Sequence, residues 1–418
     1  MNPLQDLLLA LSLQRAPYWS AEQLERAQAK RLRAMVHHAY TTVPFYRARF
    51  DELGLRPEAI QSREDLSRLP ITTRADVQRA GKAMRSDDFA LSSLATHRST
   101  GSTGRPITIY SDARFRRVRE ALFLRALFAA GYRPGHNLLL ITHESRLRSR
   151  PLLRWDYASI LDPPERILDL YTRLRPRIVY GCTTPLRQLA ELIEERGLPP
   201  GPTRAVITVA ETLDAETRRR IESAFGAQVF DFYGMTETGM IGFECQARAG
   251  YHLSEDANLV ELLPTPAGEA HSLVVTNLML RGTPLLRFET GDLAVPGDRG
   301  PCTCGRALPR IERLAGRSAD CLRTPEGSIV SPYQVTCALE QIPGLERFRV
   351  VQQSLLEIEV QVESVELGTV KDAICRRLAD VLGETVRVRV SPKSDLEPVP
   401  GTKFRVVESR VAQTPASA

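Results

Sequence analysis

Between residues 106 and 320, short apolar segments alternate regularly with longer amphipathic ones, and this alternation constrains the fold more than any other feature of the chain. The short segments have the length of β-strands, and the longer ones have the length of connecting helices. Strands that alternate with helices of about 10–15 residues predict an α/β fold with a largely parallel sheet. The predicted strands cover 106–110, 137–142, 205–209 and 228–232, and the predicted helices cover 112–129, 185–196 and 214–225.

The regions on either side of this alternation have different patterns. Residues 1–95 are predicted to be mostly helical, and Thr73 has the residue type and position of a helix N-cap. The sequence after Leu259 is rich in predicted strands, and the C-terminal part predicts a compact α+β unit with a hairpin, a helix and a final strand. The strands after Leu259 cover 271–276 and 285–288, the hairpin 348–352 and 356–362, the helix 368–381 and the final strand 386–390.

The length of the chain predicts more than one domain. A chain of 418 residues exceeds what a single hydrophobic core usually organises. The pattern of predicted elements changes near Asp320, which marks the expected boundary. We therefore predict a large N-terminal α/β domain, 1–319, and a small C-terminal α+β domain, 320–418.

Charge and composition exclude several classes of function. The 56 basic and 50 acidic residues leave a net charge of +6, which suits anionic ligands but is too dilute to predict nucleic-acid binding. No apolar run is long enough for a membrane span, and the N-terminal segment lacks the basic region and cleavage site of a signal peptide. Seven cysteines in such a chain indicate a reducing, cytoplasmic location.

The segment from Tyr233 to Gly239 carries the most chemistry. Its sequence, Tyr-Gly-Met-Thr-Glu-Thr-Gly, places a hydroxyl and a carboxylate side by side between glycines. Thr236 can donate a hydrogen bond to a phosphate oxygen, and Glu237 can supply a hard oxygen ligand to Mg²⁺. An ordinary turn after a strand would have a similar composition, so the motif gains its weight from the rest of the chain.

A second glycine-rich segment precedes the first predicted strand. Glycines permit tight turns, so backbone amides and hydroxyls in such a loop can converge on an anion. The loop is not of the Walker type, because no Gly-Lys-Ser/Thr follows at the required spacing. A flexible polar linker is the alternative interpretation. The candidate anion-binding residues are Ser99, Thr100, Gly101, Ser102, Thr103 and Gly104.

Three cysteines and a histidine form a candidate zinc site. Cys245 and His252 are close in sequence, and Cys302 and Cys304 form a Cys-x-Cys pair further along. Three thiolates and one imidazole would give a closed tetrahedral site of the structural kind, with no position left for a catalytic water. The spacing matches no standard zinc finger. Reduced cysteines near an unrelated histidine remain the alternative interpretation.

Together, the motifs resemble the adenylate-forming superfamily of acyl-CoA synthetases, and above all its phenylacetate–CoA ligase-like branch. That branch has a Ser/Thr/Gly loop ending in Gly-x-Pro, then Tyr-Gly-x-Thr-Glu, Thr-Gly-Asp, and Gly-Arg with an aspartate at a domain hinge. The motifs occur here in the same order over essentially the whole chain. They are Ser99–Pro106, Tyr233–Glu237, Thr290–Asp292 and Gly316–Arg317 with Asp320, and the segments Val43–Tyr46 and Leu69–Thr73 also resemble this branch.

The resemblance implies a role for each motif. The Ser99–Pro106 loop would hold the β- and γ-phosphates of ATP, Thr236 would contact the α-phosphate, and Glu237 would bind Mg²⁺. Asp292 would accept hydrogen bonds from the ribose, and Arg317 would reinforce that end of the nucleotide. The further residues implied to contact the nucleotide are Ala210, Glu211, Thr212, Tyr233 and Gly234, and those implied to line the acid pocket are Tyr180, Gly181 and Met235.

Two departures from the family pattern lie in the C-terminal part. The catalytic lysine of the family usually follows a glycine directly, whereas here Thr402 separates Gly401 from Lys403. A lysine suits the step because negative charge accumulates at the α-phosphate. Ala319 stands where relatives often have a second aspartate before the hinge residue Asp320. The resemblance implies that the small domain is mobile about this hinge.

The expected function is ATP-dependent activation of an aryl or related carboxylic acid to an acyl-adenylate, followed by thioester formation with coenzyme A. Transfer to the phosphopantetheine of a carrier protein or to an amine is the first alternative. A non-catalytic nucleotide-binding module is a further one, against which Thr236, Glu237 and Lys403 count. The sequence does not identify the acid.

Overall fold

The computed structural model describes most of the chain. The described residues are 3–98, 107–142, 153–211, 213, 215–264, 271–298, 300–314, 322–330, 332–340, 342–345, 347–363, 367–393, 396 and 406–411. They form two compact units. The first unit contains the described parts of 1–99, 107–133 and 230–316, and the second contains those of 134–229 and 317–418.

Helices and strands are numbered here in chain order. The α-helices are α1 (Pro3–Arg15), α2 (Ala21–Thr42), α3 (Pro44–Glu52), α4 (Arg74–Ala80), α5 (Ala113–Ala129), α6 (Pro164–Leu174), α7 (Thr183–Glu195), α8 (Ala215–Phe225), α9 (Pro332–Glu340) and α10 (Leu367–Leu382). The strands are β1 (Ala95–Arg98), β2 (Thr108–Ser111), β3 (Leu138–Thr142), β4 (Trp155–Ser159), β5 (Ile178–Cys182), β6 (Ala205–Val209), β7 (Gln228–Met235), β8 (Gly239–Glu244), β9 (Tyr251–Leu253), β10 (Asn258–Pro264), β11 (His271–Asn277), β12 (Phe288–Pro296), β13 (Arg310–Leu314), β14 (Leu322–Arg323), β15 (Ile329–Val330), β16 (Arg347–Ser354), β17 (Glu357–Glu363), β18 (Arg387–Pro392) and β19 (Val407–Ser409).

Side-chain caps start helices α2, α4 and α5 of the first unit. Ser20 begins α2 by accepting a hydrogen bond from the amide of Gln23, whose side chain accepts one in return. Thr73 begins α4 in the same way with Asp76, so the predicted N-cap is confirmed. The residue before a proline disfavours the helical region of the backbone. Helix α2 therefore ends at Thr42, Val43 is extended, and α3 begins at Pro44.

The sheet of the first unit has antiparallel strands in the order β10-β11-β12-β13-β9-β8-β7. Helices α3 and α5 contribute the buried Phe50 and Phe115 to a core that also contains Phe288 of β12. Within the same unit, Arg125 of α5 donates two hydrogen bonds to the carboxylate of Asp256, at 2.8 and 3.0 Å. This pair lies almost entirely out of solvent, so it fixes α5 to the loop before β10.

The second unit contains the parallel strands β6-β5-β3-β4, with helices α6, α7 and α8 packed around an apolar core. Its C-terminal part forms another sheet in the order β18-β17-β16-β19. Strands β16 and β17 form an antiparallel hairpin, while β18 and β19 pair parallel to their neighbours. Helix α10 supplies Ile374 and Leu378 to the core of this part.

The fold class predicted from the sequence, α/β with a C-terminal α+β part, is confirmed. Two predicted strands need correction. The strand predicted at 285–288 begins only at Phe288, because Arg287 has a left-handed backbone with φ 47°. The strand at 386–390 is not the final one, since β19 follows it and pairs with β16. Among the described residues, no helix combines the length and apolarity needed to cross a bilayer.

Candidate functional site

Glu237 lies in the turn that joins β7 to β8. These strands form an antiparallel hairpin, and Thr236, Glu237 and Thr238 make its turn. Gly239 has a φ of 76°, where a side chain would be strained. A Cβ on Gly234 would lie 2.9 Å from the Gly239 carbonyl oxygen, so the two strands approach each other closely here. The motif predicted as a phosphate-and-metal segment is therefore a tight hairpin turn.

The turn is anchored from within the first unit. Asn277 of β11 donates a hydrogen bond to the Thr238 carbonyl at 2.9 Å and another to Asn258 at 2.8 Å. Asn258 in turn donates to the Met240 carbonyl at 3.1 Å. The side chains that make these bonds are buried, so they hold the β8 end of the turn in one position.

The Glu237 side chain is 4% exposed and forms an ion pair with Arg74, whose Nη1 donates to Oε1 at 2.9 Å. Arg74 is the first residue of α4, directly after the Leu69–Thr73 segment. No sequence motif connects the two residues, which are 163 positions apart. The one signal in the sequence is that an arginine follows the Leu69–Thr73 segment, and this carries no information about distance in space.

Asp292 is held by Tyr233 of the hairpin. The Tyr233 hydroxyl donates a hydrogen bond to Oδ2 of Asp292 at 2.9 Å. The amide of Asp292 donates to Oγ1 of Thr290 at 3.1 Å, and that hydroxyl donates to the Leu273 carbonyl at 3.0 Å. Two residues predicted separately to contact the nucleotide are therefore bonded to each other, and the carboxylate has a fixed orientation.

Other predicted site residues lie in the second unit. Glu211 accepts a hydrogen bond from the amide of Thr184 at 2.6 Å, in the first turn of α7. A carboxylate at a helix N-terminus is favourable because the amides there lack partners within the helix. Ala210, just before it, has a left-handed backbone with φ 70°. Tyr180 and Gly181 lie on β5, which leads directly into α7.

The four candidate zinc ligands lie together in the first unit. Their ligand atoms are all within 4.8 Å of one another. The Sγ atoms of Cys245 and Cys302 are 3.9 Å apart, and Sγ of Cys304 lies 3.5 Å from Nε2 of His252. Cys245 follows β8, His252 lies on β9, and the Cys-x-Cys pair lies in the loop between β12 and β13. Cys302 is buried, and Cys304 is half-buried.

The donor set fits zinc. Tetrahedral zinc with Zn–S of about 2.3 Å and Zn–N of about 2.0 Å places its sulfur atoms about 3.8 Å apart and sulfur and nitrogen about 3.5 Å apart. Burial raises the pKa of the Cys245 thiol to about 12 and lowers the pKa of His252 to about 4. Burial alone would also raise the pKa of Cys302, but hydrogen bonds from Cys304 and Cys245 lower it. Clustered thiols with a neutral imidazole are the ligands that a divalent cation would convert to thiolates.

Several predicted residues lie outside the described part of the chain. They are Ser99, Thr100, Gly101, Ser102, Thr103, Gly104, Thr212, Arg317, Asp320 and Lys403. The described chain places Met235 and Thr236 next to Glu237, half-buried at the end of β7 and the start of the turn.

Comparison with known proteins shows what the chain is similar to. The AMP-binding enzyme family matches residues 155–265. The chain is 29% identical over 439 residues to the phenylacetate-coenzyme A ligase of Thermus thermophilus, covering 92% of this chain and 96% of that protein. The chain is similar to the phenylacetate–CoA ligase-like branch of the adenylate-forming superfamily.

Two further proteins are similar to the chain over most of its length. The phenylacetate-coenzyme A ligase of Pseudomonas putida is 27% identical over 400 residues, with 87% of each chain covered. A crystal structure of 2-hydroxyisobutyryl-CoA ligase with 2-HIB-AMP and CoA superimposes with a TM-score of 0.68, at 23% identity and covering 95% of this chain and 92% of that one. At that identity the structure supports the shared adenylate-forming fold.

Proposed function

We propose that this protein activates a carboxylic acid with ATP and transfers the acyl group to coenzyme A. The observation that carries this proposal is the match to curated phenylacetate–CoA ligases over nearly the full length of both chains. The acid would be an aryl or related one. Its carboxylate oxygen attacks the α-phosphorus and pyrophosphate leaves, which gives an acyl-adenylate. The thiol of coenzyme A then attacks the acyl carbon, and AMP leaves.

The hairpin turn would hold the reacting phosphate. Thr236 would donate its hydroxyl to the α-phosphate, and Glu237 would hold Mg²⁺. Glu237 fits this ion because its carboxylate is fixed by Arg74 through one oxygen, while Oε2 makes no hydrogen bond with any described residue. Magnesium in such sites is held by one or two carboxylates together with the substrate phosphates. When bound, the ion would neutralise phosphate charge.

The nucleoside end would be oriented by Asp292. Its carboxylate, already bonded to Tyr233, would accept hydrogen bonds from the ribose hydroxyls. A carboxylate that is fixed before binding loses less entropy when the ligand arrives. We propose the remaining contacts from the motifs alone. Gly234 would contact the nucleotide, Arg317 would contact the ribose, and the base would be bordered by Ala210, Glu211 and Thr212. The acid pocket would be lined by Tyr180, Gly181 and Met235.

The phosphate loop, the lysine and the hinge belong to the same proposal. The Ser99–Pro106 loop would bind the β- and γ-phosphates, and Lys403 would stabilise the charge that develops at the α-phosphate. Asp320 would be the hinge between an N-terminal domain, 1–319, and a mobile C-terminal domain, 320–418. The motif order of the branch supports these assignments.

We further propose a structural zinc ion at Cys245, His252, Cys302 and Cys304, supported by the separation of the ligand atoms. The ion would connect the ends of β8 and β9 to the loop before β13. A cytoplasmic location is proposed as well, because none of the cysteines that the structure describes forms a disulfide. They are Cys182, Cys245, Cys302, Cys304 and Cys375.

The test is acid-dependent ATP–pyrophosphate exchange over a panel of aryl, fatty and amino acids. We expect exchange with at least one acid, and release of AMP with thioester formation once coenzyme A is added. If exchange occurs without a coenzyme A product, and a phosphopantetheinylated carrier or an amine receives the acyl group, then that carrier or amine is the acceptor in place of coenzyme A. The adenylation proposal fails if protein shown to bind ATP catalyses no exchange with any acid.

A further inference from the structure

The ion pair between Arg74 and Glu237 is asymmetric. One nitrogen of the guanidinium contacts one oxygen of the carboxylate, Nη1 to Oε1 at 2.9 Å. Among the described residues, this is the sole hydrogen-bonding contact of the Glu237 side chain. The side chains are 15% and 4% exposed, so water screens the pair only weakly. The arginine therefore neutralises the carboxylate while leaving Oε2 for another cation.

Arg74 is held rigidly by the segment that precedes it. Thr72 donates its amide to the Arg287 carbonyl at 2.8 Å, just before β12. Thr73 and Asp76 form the capping box of α4, and Arg49 donates to the side chains of Thr72 and Asp76 at 3.1 and 3.4 Å. The backbone of Arg74 is therefore fixed beside β12. The guanidinium extends from this fixed position to the hairpin turn.

We propose that Arg74 is a positioning residue that controls when the turn takes up its divalent cation. In protein without nucleotide, the guanidinium of Arg74 already neutralises the carboxylate of Glu237. A metal bound to Oε2 would therefore lie beside a fixed positive charge. The repulsion between them disfavours binding of the metal alone. The phosphates of ATP bring the negative charge that compensates for this repulsion, so the metal enters with the nucleotide.

This inference rests on the proposed function only in assigning the metal to Glu237. It predicts that removing the positive charge at position 74 strengthens metal binding when no nucleotide is present. A residue with a purely structural role would have the opposite effect or none, because loosening the turn does not create affinity for a cation.

The test measures Mn²⁺ binding to the full chain without ATP, from the electron paramagnetic resonance signal of free Mn²⁺. Arg74→Gln should bind Mn²⁺ at least about tenfold more tightly than wild type. Arg74→Lys, which keeps the charge, should restore the wild-type affinity. Arg79→Gln is the matched control, because it removes the same charge from the same helix at a side chain that is 77% exposed. It should change the affinity by less than about twofold.

Arg74→His keeps the proposal testable if Arg74→Gln fails to fold. Its imidazole is charged near pH 6 and neutral near pH 8, so within one folded protein the Mn²⁺ affinity should rise between these values by more than it does in wild type. Unchanged or weaker binding in Arg74→Gln, or a gain that persists in the Arg74→Gln/Glu237→Gln double variant, overturns the proposal. Because the measurement contains neither ATP nor acid, its result is independent of whether exchange activity is found.

Discussion

The hydrogen bond from Tyr233 to Asp292 allows a direct test of how the nucleoside end is held. Tyr233→Phe removes the hydroxyl and keeps the ring, which packs in the buried cluster of the antiparallel sheet. A hydrogen bond to a charged group contributes about 1.5–3 kcal/mol. Asp292 is only half-buried, so the lower end of this range applies. At about 1.4 kcal/mol for each factor of ten, the expected loss is about tenfold.

The loss should fall on nucleotide binding. Without the hydroxyl, the Asp292 carboxylate loses one of the hydrogen bonds that orient it, and the ribose contacts then have to offset more of its ordering. We expect the KM for ATP in acid-dependent exchange to rise about tenfold, with kcat changed by less than about threefold. The assay is ATP–pyrophosphate exchange at saturating acid, with ATP varied.

Tyr251→Phe is the matched control. Its hydroxyl also donates to an aspartate, Oδ2 of Asp231 at 2.7 Å, but neither residue belongs to a predicted nucleotide motif. This variant should lose about 1.5–3 kcal/mol in the free energy of unfolding, while the KM for ATP stays within about twofold of wild type. If Tyr233→Phe also leaves the KM for ATP unchanged, the hydrogen bond from Tyr233 does not orient Asp292 for the nucleotide.

Two further predictions concern stability. Asp256→Ala leaves Arg125 charged and buried, so the free energy of unfolding in urea should fall by about 3–5 kcal/mol. The control is Glu22→Gln, which breaks an ion pair exposed on both sides and should cost less than about 1 kcal/mol. Equal losses in the two variants would mean that burial does not set the strength of the pair. Ala210→Gly relieves a left-handed alanine at φ 70°, so the same measurement should show a gain of up to about 1 kcal/mol, and a clear loss would mean that the conformation carries no strain.

The sequence predicted β3 and β6, two of the four parallel strands of the second unit, because their signals are local. Strand β6 has the predicted bounds, and β3 differs from its prediction by one residue. These strands are continuous apolar runs, as buried parallel strands are. Strands β4 and β5 and helix α6 were not predicted. The sequence of β4, Trp-Asp-Tyr-Ala-Ser, has neither an apolar run nor a strict alternation, and its pairing with β3 supplies what the local pattern lacks.

The residues of the candidate site could be predicted from the sequence, but the contacts between them could not. Tyr233, Glu237 and Asp292 follow from their motifs, yet their partners depend on strand register and on the position of α4. Tyr233 meets Asp292 across 59 positions, and Glu237 meets Arg74 across 163. No pattern within a short window of sequence encodes such separations. The four zinc-ligand candidates were predicted from residue type, and only the fold shows that their side chains meet.

The zinc proposal makes a prediction that separates structure from catalysis. Cys245 follows β8 directly, and the hairpin turn with Glu237 precedes the same strand, so the metal centre and the turn lie at opposite ends of β8. Hydrogen bonds to β7 and β9 hold this strand along both edges. Cys304→Ser should therefore lose zinc, measured by elemental analysis, and lower the melting temperature by several degrees. The KM for ATP should stay within about twofold of wild type, because the strand does not need the metal to keep the turn in place. A folded, zinc-free variant whose KM for ATP rose more than about tenfold would show that the metal centre controls the turn.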